Sequence, residues 1–186
     1  MHDELVLWRR IDQPGHDAAR LVWHHPFWQL GGTAVFAHEG VPCRIEYLVV
    51  CDERWRTSHG RVSGWLGGRH LRLDVTVDGA FRWRANGVEC PALAECRDLD
   101  LSFSPATNLI ALRRLGLGIG EESPARAAWL RLPDLVLEPL EQSYRRVGER
   151  EYEYEAPGYT GLLEVDATGM IVRYPGRWER EAGGAA

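Results

Sequence analysis

The sequence predicts a mainly β protein folded as one domain. Three observations carry that prediction: apolar and polar residues alternate through much of the chain, turn dipeptides sit at the ends of the alternating runs, and sustained helical spacing is almost absent. The alternation is cleanest from Leu71 to Asp78, where every odd residue is apolar and every even one polar, as in a strand with one buried and one solvated face. Phe81 and Trp83 against Arg82 and Arg84 repeat it. Asp78-Gly79 and Asn86-Gly87 favour the positive φ of tight turns, so these runs are expected to form consecutive hairpins. Gly67-Gly68 turns the chain between Val62–Leu66 and the Leu71 strand. Further on, Tyr152 and Tyr154 alternate with Glu151, Glu153 and Glu155, and Asp166-Ala167-Thr168-Gly169 reverses Leu163–Val165 into Met170–Tyr174.

Between these regions, Leu99, Leu101 and Phe103 point to one face of a strand, and Asp98, Asp100 and Ser102 to an opposite face expected to be solvated. Ser104-Pro105 ends that strand, since proline has no N–H for a ladder, and Ala106-Thr107-Asn108 makes a polar turn. Helical candidates are confined to Pro14–Ala19 and Leu109–Leu115. About a dozen antiparallel strands must then pair as a sandwich or curl into a barrel or roll, and alternation alone does not choose. Gly31-Gly32 and Gly64, inside apolar runs, fit bends in a curved sheet.

With 186 residues the chain can bury roughly 70% of its extended surface in a single core. Composition predicts a domain over residues 1–180 and a disordered tail over 181–186. The net charge is −5, every one of the 22 cationic residues is arginine, and acids are interspersed with them. Without a basic stripe, nucleic-acid binding is not expected. The N-terminus lacks a signal-peptide core and no apolar run is long enough to span a bilayer, so a soluble, cytoplasmic protein without stable membrane insertion is expected. Cys43, Cys51, Cys90 and Cys96 have no zinc spacing and are expected to be free thiols. His24-His25 would point to opposite faces of a strand, so no metal site is assigned. No GxSxG elbow or dinucleotide fingerprint occurs, and Gly116, Gly118 and Gly120 lack the flanking strand and helix of a nucleotide loop, so no cofactor is expected.

The segment 96–114, CRDLDLSFSPATNLIALRR, together with 127–146, AAWLRLPDLVLEPLEQSYRR, and 162–178, LLEVDATGMIVRYPGRW, closely resembles the putative glycolipid-binding family, formerly a domain of unknown function. The resemblance extends more loosely to YLVVCDERWRT at 47–57 and to the Asn86-Gly87 turn. It implies an open, rolled antiparallel sheet (a spiral β-roll or incomplete barrel) with few short helices and a hydrophobic cavity, similar to lipoprotein-carrier folds.

Several residues then become candidates for contact with a ligand. Asp98 and Asp100 share a face about 7 Å apart. They could work as an acid/base pair, bond polyol hydroxyls, or pair with Arg113 or Arg114. Ser102 and Asn108 offer short polar groups to a ligand, although Ser104, Thr107 and Asn108 could equally cap their own loop, with Asn108 capping a helix from Leu109. In the pairs Arg113-Arg114 and Arg145-Arg146 an inward arginine needs an internal acid or an anionic head group, which makes Arg114 and Arg146 candidates. Eight tryptophans exceed what a small core usually requires. Trp65, Trp129 and Trp178, in segments resembling the family, are the expected cavity walls, with Tyr144, Tyr159 and Tyr174 beside them. No catalytic residue is assigned. The expected function is non-enzymatic binding of an amphiphile, a lipid or glycolipid, with acyl chains on the apolar face of the curved sheet and polar groups at its rim meeting the head group. The alternatives are a protein-interaction module using the same groove, or an unfamiliar hydrolase.

Overall fold

A computed structural model describes residues 3–184. The first half is a regular meander of β1 (Asp3–Arg10), β2 (Gly15–His24), β3 (Phe27–His38), β4 (Val41–Cys51), β5 (Thr57–Leu66), β6 (Arg69–Val77), β7 (Trp83–Ala85) and β8 (Val88–Glu89). A 3-10 turn at Pro91–Leu93 leads to β9 (Asp98–Leu101), α1 (Asn108–Leu115) and β10 (Glu122–Arg131). A second meander follows, with β11 (Val136–Arg146), β12 (Glu151–Ala156), β13 (Tyr159–Val165), β14 (Ile171–Tyr174) and β15 (Trp178–Gly183). All fifteen strands form one sheet in the order β8-β7-β6-β5-β4-β3-β2-β1-β15-β14-β13-β12-β11-β10-β9. The first and last strands therefore meet in its middle, where Arg10 pairs with Trp178 and the register slips between Leu7 and Trp8.

The sheet rolls without closing. Its β9 edge reaches back to β5 through Leu99 N–H to Thr57 Oγ1 at 3.0 Å and Thr57 N–H to Arg97 O at 3.1 Å, two bonds that do not extend into a ladder. Trp83 Nε1–H donates to Cys96 O at 3.3 Å beside them. One pairing departs from the antiparallel expectation, since β9 runs parallel to β10. A parallel neighbour needs a crossover, and α1 supplies it. The helix lies inside the roll, with Leu109, Ile110, Ala111 and Leu112 buried in succession, so it serves as core. Trp8, Trp83, Phe103, Leu30 and Ile45 are among the largest fully buried side chains of the same core.

The turns at Gly67-Gly68, Asn86-Gly87 and 166–169 fall where the sequence places them. Asn86 and Gly87, at φ 48° and 81°, match the hairpin turn that needs both positive. Three expectations are corrected. The segment 14–19 is no helix; β2 begins at Gly15 and alternates Asp17, Ala19 and Leu21 inward against His16, Ala18 and Arg20 outward. Phe81 is not in a strand, because the Asp78 carboxylate gathers the Ala80 and Arg82 N–H groups at 3.0 Å each into a wider loop and Phe81 takes φ 58°. The acidic face of β9 is not solvated, since Asp98 is buried and Asp100 half-buried beneath groups from α1 and β11. At the C-terminus, β15 continues through Gly183, three residues into the expected tail, and residues 185 and 186 lie outside the described residues.

Gly32 has a packing reason, because a Cβ there would stand within 2.7 Å of Ala18 O and closer still to the Tyr47 hydroxyl. Gly64, at φ 155°, is pressed against Arg44 O across the β4–β5 pair, where any side chain would collide. Cys43, Cys51 and Cys96 are buried free thiols, and burial pushes the Cys43 and Cys96 thiols up to about 11.

Candidate functional site

The site grows from β9 and the loop after it. Leu99 and Leu101 point into the core, which turns Asp98 and Asp100 toward α1 and β11. Their environments then diverge. Asp98 takes a bidentate pair from Arg114, Nε to Oδ1 at 2.7 Å and Nη2 to Oδ2 at 2.6 Å, with only 3% of its side chain exposed against 18% for the arginine. Burial raises the Asp98 carboxyl above its usual range even against the pull of Arg114. Among the described residues Asp100 has no cation within ion-pair distance. It accepts one N–H, from Gln142 Nε2 at 2.7 Å, and burial, with a smaller push from Asp98, raises it to about 6.

A polar chain extends from Asp100 across the floor. Asn108 Nδ2 donates to Tyr144 Oη at 3.1 Å, and that hydroxyl leans toward Gln142 Oε1 at 3.4 Å. Asn108 is thus the first residue of α1 and does not cap it. The loop capping falls to Thr107 Oγ1, which accepts Leu101 N–H at 3.1 Å, and to Ser104 Oγ, which accepts Ala106 N–H at 3.1 Å. Ser104 also donates to Asp17 Oδ2 at 2.5 Å, and Tyr47 Oη donates to the same carboxylate at 2.9 Å. Asp17 is fully buried and burial pushes it to about 6. This cluster ties the loop to β2 and β4 and so fixes Ser102 and Asn108 in place.

Over this floor the second meander adds aromatic walls. Tyr154, Tyr159 and Tyr174 gather with centroids 5.1–5.9 Å apart. Trp129 from β10 and Trp178 from β15 stand beside them, with Leu140, Ala156 and Pro157 at the lip. Arg10 is held between the Phe36 and Trp178 rings at 5.0 Å from each and is neutralised by Asp12. Arg177 lies over Tyr159 at 5.6 Å and has no carboxylate partner among the described residues. The result is a pocket of about 210 Å³. An engineered apolar cavity of about 150 Å³ holds one benzene, so this space suits a single substituted six-membered ring. It continues past Arg10, Ser102, Trp129 and Arg177 into a second hollow of about 370 Å³ reaching His38 and Arg131.

Of the residues expected from sequence, Asp100, Ser102, Asn108, Trp129, Tyr159, Tyr174 and Trp178 line this pocket. Tyr144 stands behind the lining and orients Asn108. Arg114 is committed to Asp98, and both lie outside the lining. Trp65 belongs to β5, paired with His70, and does not reach the pocket. Arg146 borders a different hollow, near the C-terminal end of α1. Sequence reasoning missed Asp17, Tyr154 as a wall, and Arg177. Read as a strand, HDAARL would have placed Asp17 on the inner face with Ala19 and Leu21, a signal that the helical reading of 14–19 hid. Among the described residues no group of His, Cys, Asp and Glu side chains is placed to hold a metal ion. No helix among the described residues is long and apolar enough to cross a membrane.

The architecture places the chain in a class of mainly β proteins built on one open, rolled sheet around a buried crossover helix. Within that class the chain belongs to the family described as "Putative glycolipid-binding", whose model matches residues 5–180. The crystal structure of a DUF1089 family protein from Pseudomonas aeruginosa superposes with a TM-score of 0.80 at 27% identity, covering 89% of this chain and 92% of that one. No curated protein sequence matches the chain.

Proposed function

We propose that this protein is a non-enzymatic binder of a glycolipid-type amphiphile and that the saccharide head group occupies the pocket over Asp100 and Asn108. One observation carries the reading. Asp100 Oδ1 and Asn108 Oδ1 accept no hydrogen bond among the described residues, while Gln142 and Tyr144 hold their other polar atoms, so two fixed acceptors face a ring-sized, aromatic-walled space. Sugar hydroxyls donate to such acceptors, and a sugar's C–H face stacks on indole or phenol. The family description agrees with a lipid-like ligand.

The pocket volume revises the expected placement of the ligand. Phe103, Leu109, Ile110 and Leu130 are fully buried in the core of the roll, which favours another place for the acyl chains. The chains instead leave past Leu140, Ala156 and Pro157, and the polar groups expected at a rim belong to the floor. Asp98 and Asp100 do not act as a catalytic pair in this reading, because Arg114 occupies both oxygens of Asp98.

Native mass spectrometry of the protein purified from its own source, followed by organic extraction, tests the proposal. A sugar-bearing amphiphile that co-purifies with the native chain and is lost from Asp100→Asn supports it. A clean apo mass with no tryptophan fluorescence response to a glycolipid panel overturns it and turns attention to a protein segment as the occupant of the groove.

A further inference from the structure

We propose that the hollow at the C-terminal end of α1 is a separate binding site for a phosphate group. It measures about 340 Å³, and its wall includes Arg113 from the helix and Arg146 and Arg150 on either side of the β11–β12 turn. None of these three arginines has a carboxylate within ion-pair distance among the described residues, whereas Arg145, next in sequence to Arg146, is paired with Glu153.

Arg146 is the built element. Its guanidinium donates to three backbone carbonyls, Nε to Gly148 O at 3.2 Å, Nη1 to Leu117 O at 2.9 Å and Nη2 to Glu149 O at 2.6 Å, and it lies over the Tyr152 ring at 5.6 Å. Carbonyls fix the fork in place but leave its charge uncompensated, and further N–H groups remain to be used. Asp166, the buried acid of the same wall, is already spent. Its oxygens accept Thr168 N–H, Thr168 Oγ1–H, Met170 N–H and Arg180 Nη1 at 2.6–3.1 Å. Three cations less the single unpaired acid, Glu149, leave two positive charges on the lining. A phosphomonoester carries about −1.5 to −2 at neutral pH, which matches that surplus, and arginine forks suit its oxygens.

The phosphate could come from a soluble ester or from a lipid head group, and the test separates them. Isothermal titration of the full chain with methyl phosphate should give saturable one-to-one binding. The exposed substitutions Arg113→Gln and Arg150→Gln should each weaken it at least about threefold, and the double variant about tenfold, with the melting temperature unchanged. Arg146 is left intact because its loss would free the 147–149 turn. Arg72→Gln, on exposed β6, and Asp100→Asn, in the saccharide pocket, should leave methyl phosphate affinity as it was, which keeps this result independent of the proposed glycolipid binding. If phosphatidylcholine vesicles containing phosphatidate recruit the chain and methyl phosphate displaces it, the source is a lipid; binding of methyl phosphate without recruitment assigns a soluble ester. Absence of saturable binding to either probe, or equal binding by the Arg113→Gln/Arg150→Gln variant, overturns the proposal.

Discussion

The two halves of the sheet each hold a desolvated carboxylate that no cation pairs with among the described residues, and the two meet different fates. Asp17, in the first meander, and Asp100, on the edge strand of the second half, are both raised to about 6 by burial. Asp17 is enclosed, and Ser104 and Tyr47 donate to it. Asp100 receives a single N–H, from Gln142, and turns its other oxygen to open space. The perturbed carboxyl alone therefore does not mark a site; an acceptor left unused does. The same contrast runs through the halves as wholes. The first is a scaffold of long paired strands, and except for Arg10 every group lining the pocket over Asp100 comes from residue 100 onward.

Asp98 sharpens the comparison, because it is a buried carboxylate that does have a cation. Removing that partner leaves a charge without compensation, so Arg114→Ala should cost about 3–5 kcal/mol, the largest effect expected of a single substitution, read from urea unfolding at neutral pH. Asp98→Asn added to Arg114→Ala should recover much of the loss. A variant of unchanged stability but weakened ligand binding would move Arg114 from the scaffold to the site.

Next in size is the pH dependence. The folded chain holds a proton on Asp17 up to about pH 6, whereas the unfolded chain releases it near 3.8. Between these values the native state carries more protons, so this group's contribution to stability is present at low pH and is lost as pH rises through 6. A shift of about two units corresponds to about 3 kcal/mol, and Asp100 adds a similar amount with the same sign. Unfolding midpoints measured from pH 4.5 to 7 should fall accordingly, and Asp17→Asn should remove about half of the slope. Equal midpoints across that range would show that the two carboxyls titrate alike in both states.

Asp100 differs from Asp17 in a further way that can be measured. Its charged form is the better acceptor for sugar hydroxyls, so saccharide affinity should rise as pH passes from 5 to 7, through the Asp100 value of about 6. Asp100→Asn should weaken binding about tenfold and flatten that profile. Asp17→Asn should leave the profile intact. If both variants lower affinity alike, the enclosed cluster belongs to the site as much as the open carboxylate does.

How much of this was legible in the sequence follows the same division. Period-two alternation with the turns at Gly67-Gly68, Asn86-Gly87 and 166–169 locates three of the hairpins, because those signals are local. The parallel β9–β10 pair and the burial of the acidic face of β9 depend on α1 folding back inside the roll, an outcome of tertiary packing that no local pattern reports. Among the pocket-lining residues, Asp100, Ser102 and Asn108 are legible together because they share one short strand and loop, which keeps them close in space. Arg114 and Arg146 were recognised as inward arginines, but sequence could not say which of them had an acid waiting. Trp65 and Trp129 look equivalent in composition, and only the roll separates them.

That last pair gives the smallest expected effect and the finest discrimination. Trp129 is half-buried on the pocket wall with Arg131 over its outer face at 5.3 Å, while Trp65 sits in β5 on the scaffold side. Trp129→Phe keeps an aromatic wall but shortens it and removes the indole N–H, so binding should weaken by only a few fold while the Trp129 part of the fluorescence response to ligand disappears and the Trp178 part remains. Trp65→Phe should leave both affinity and response unchanged. If the response instead disappears with Trp65, the ligand contacts the first meander, and the division of the sheet into scaffold and site fails at that strand.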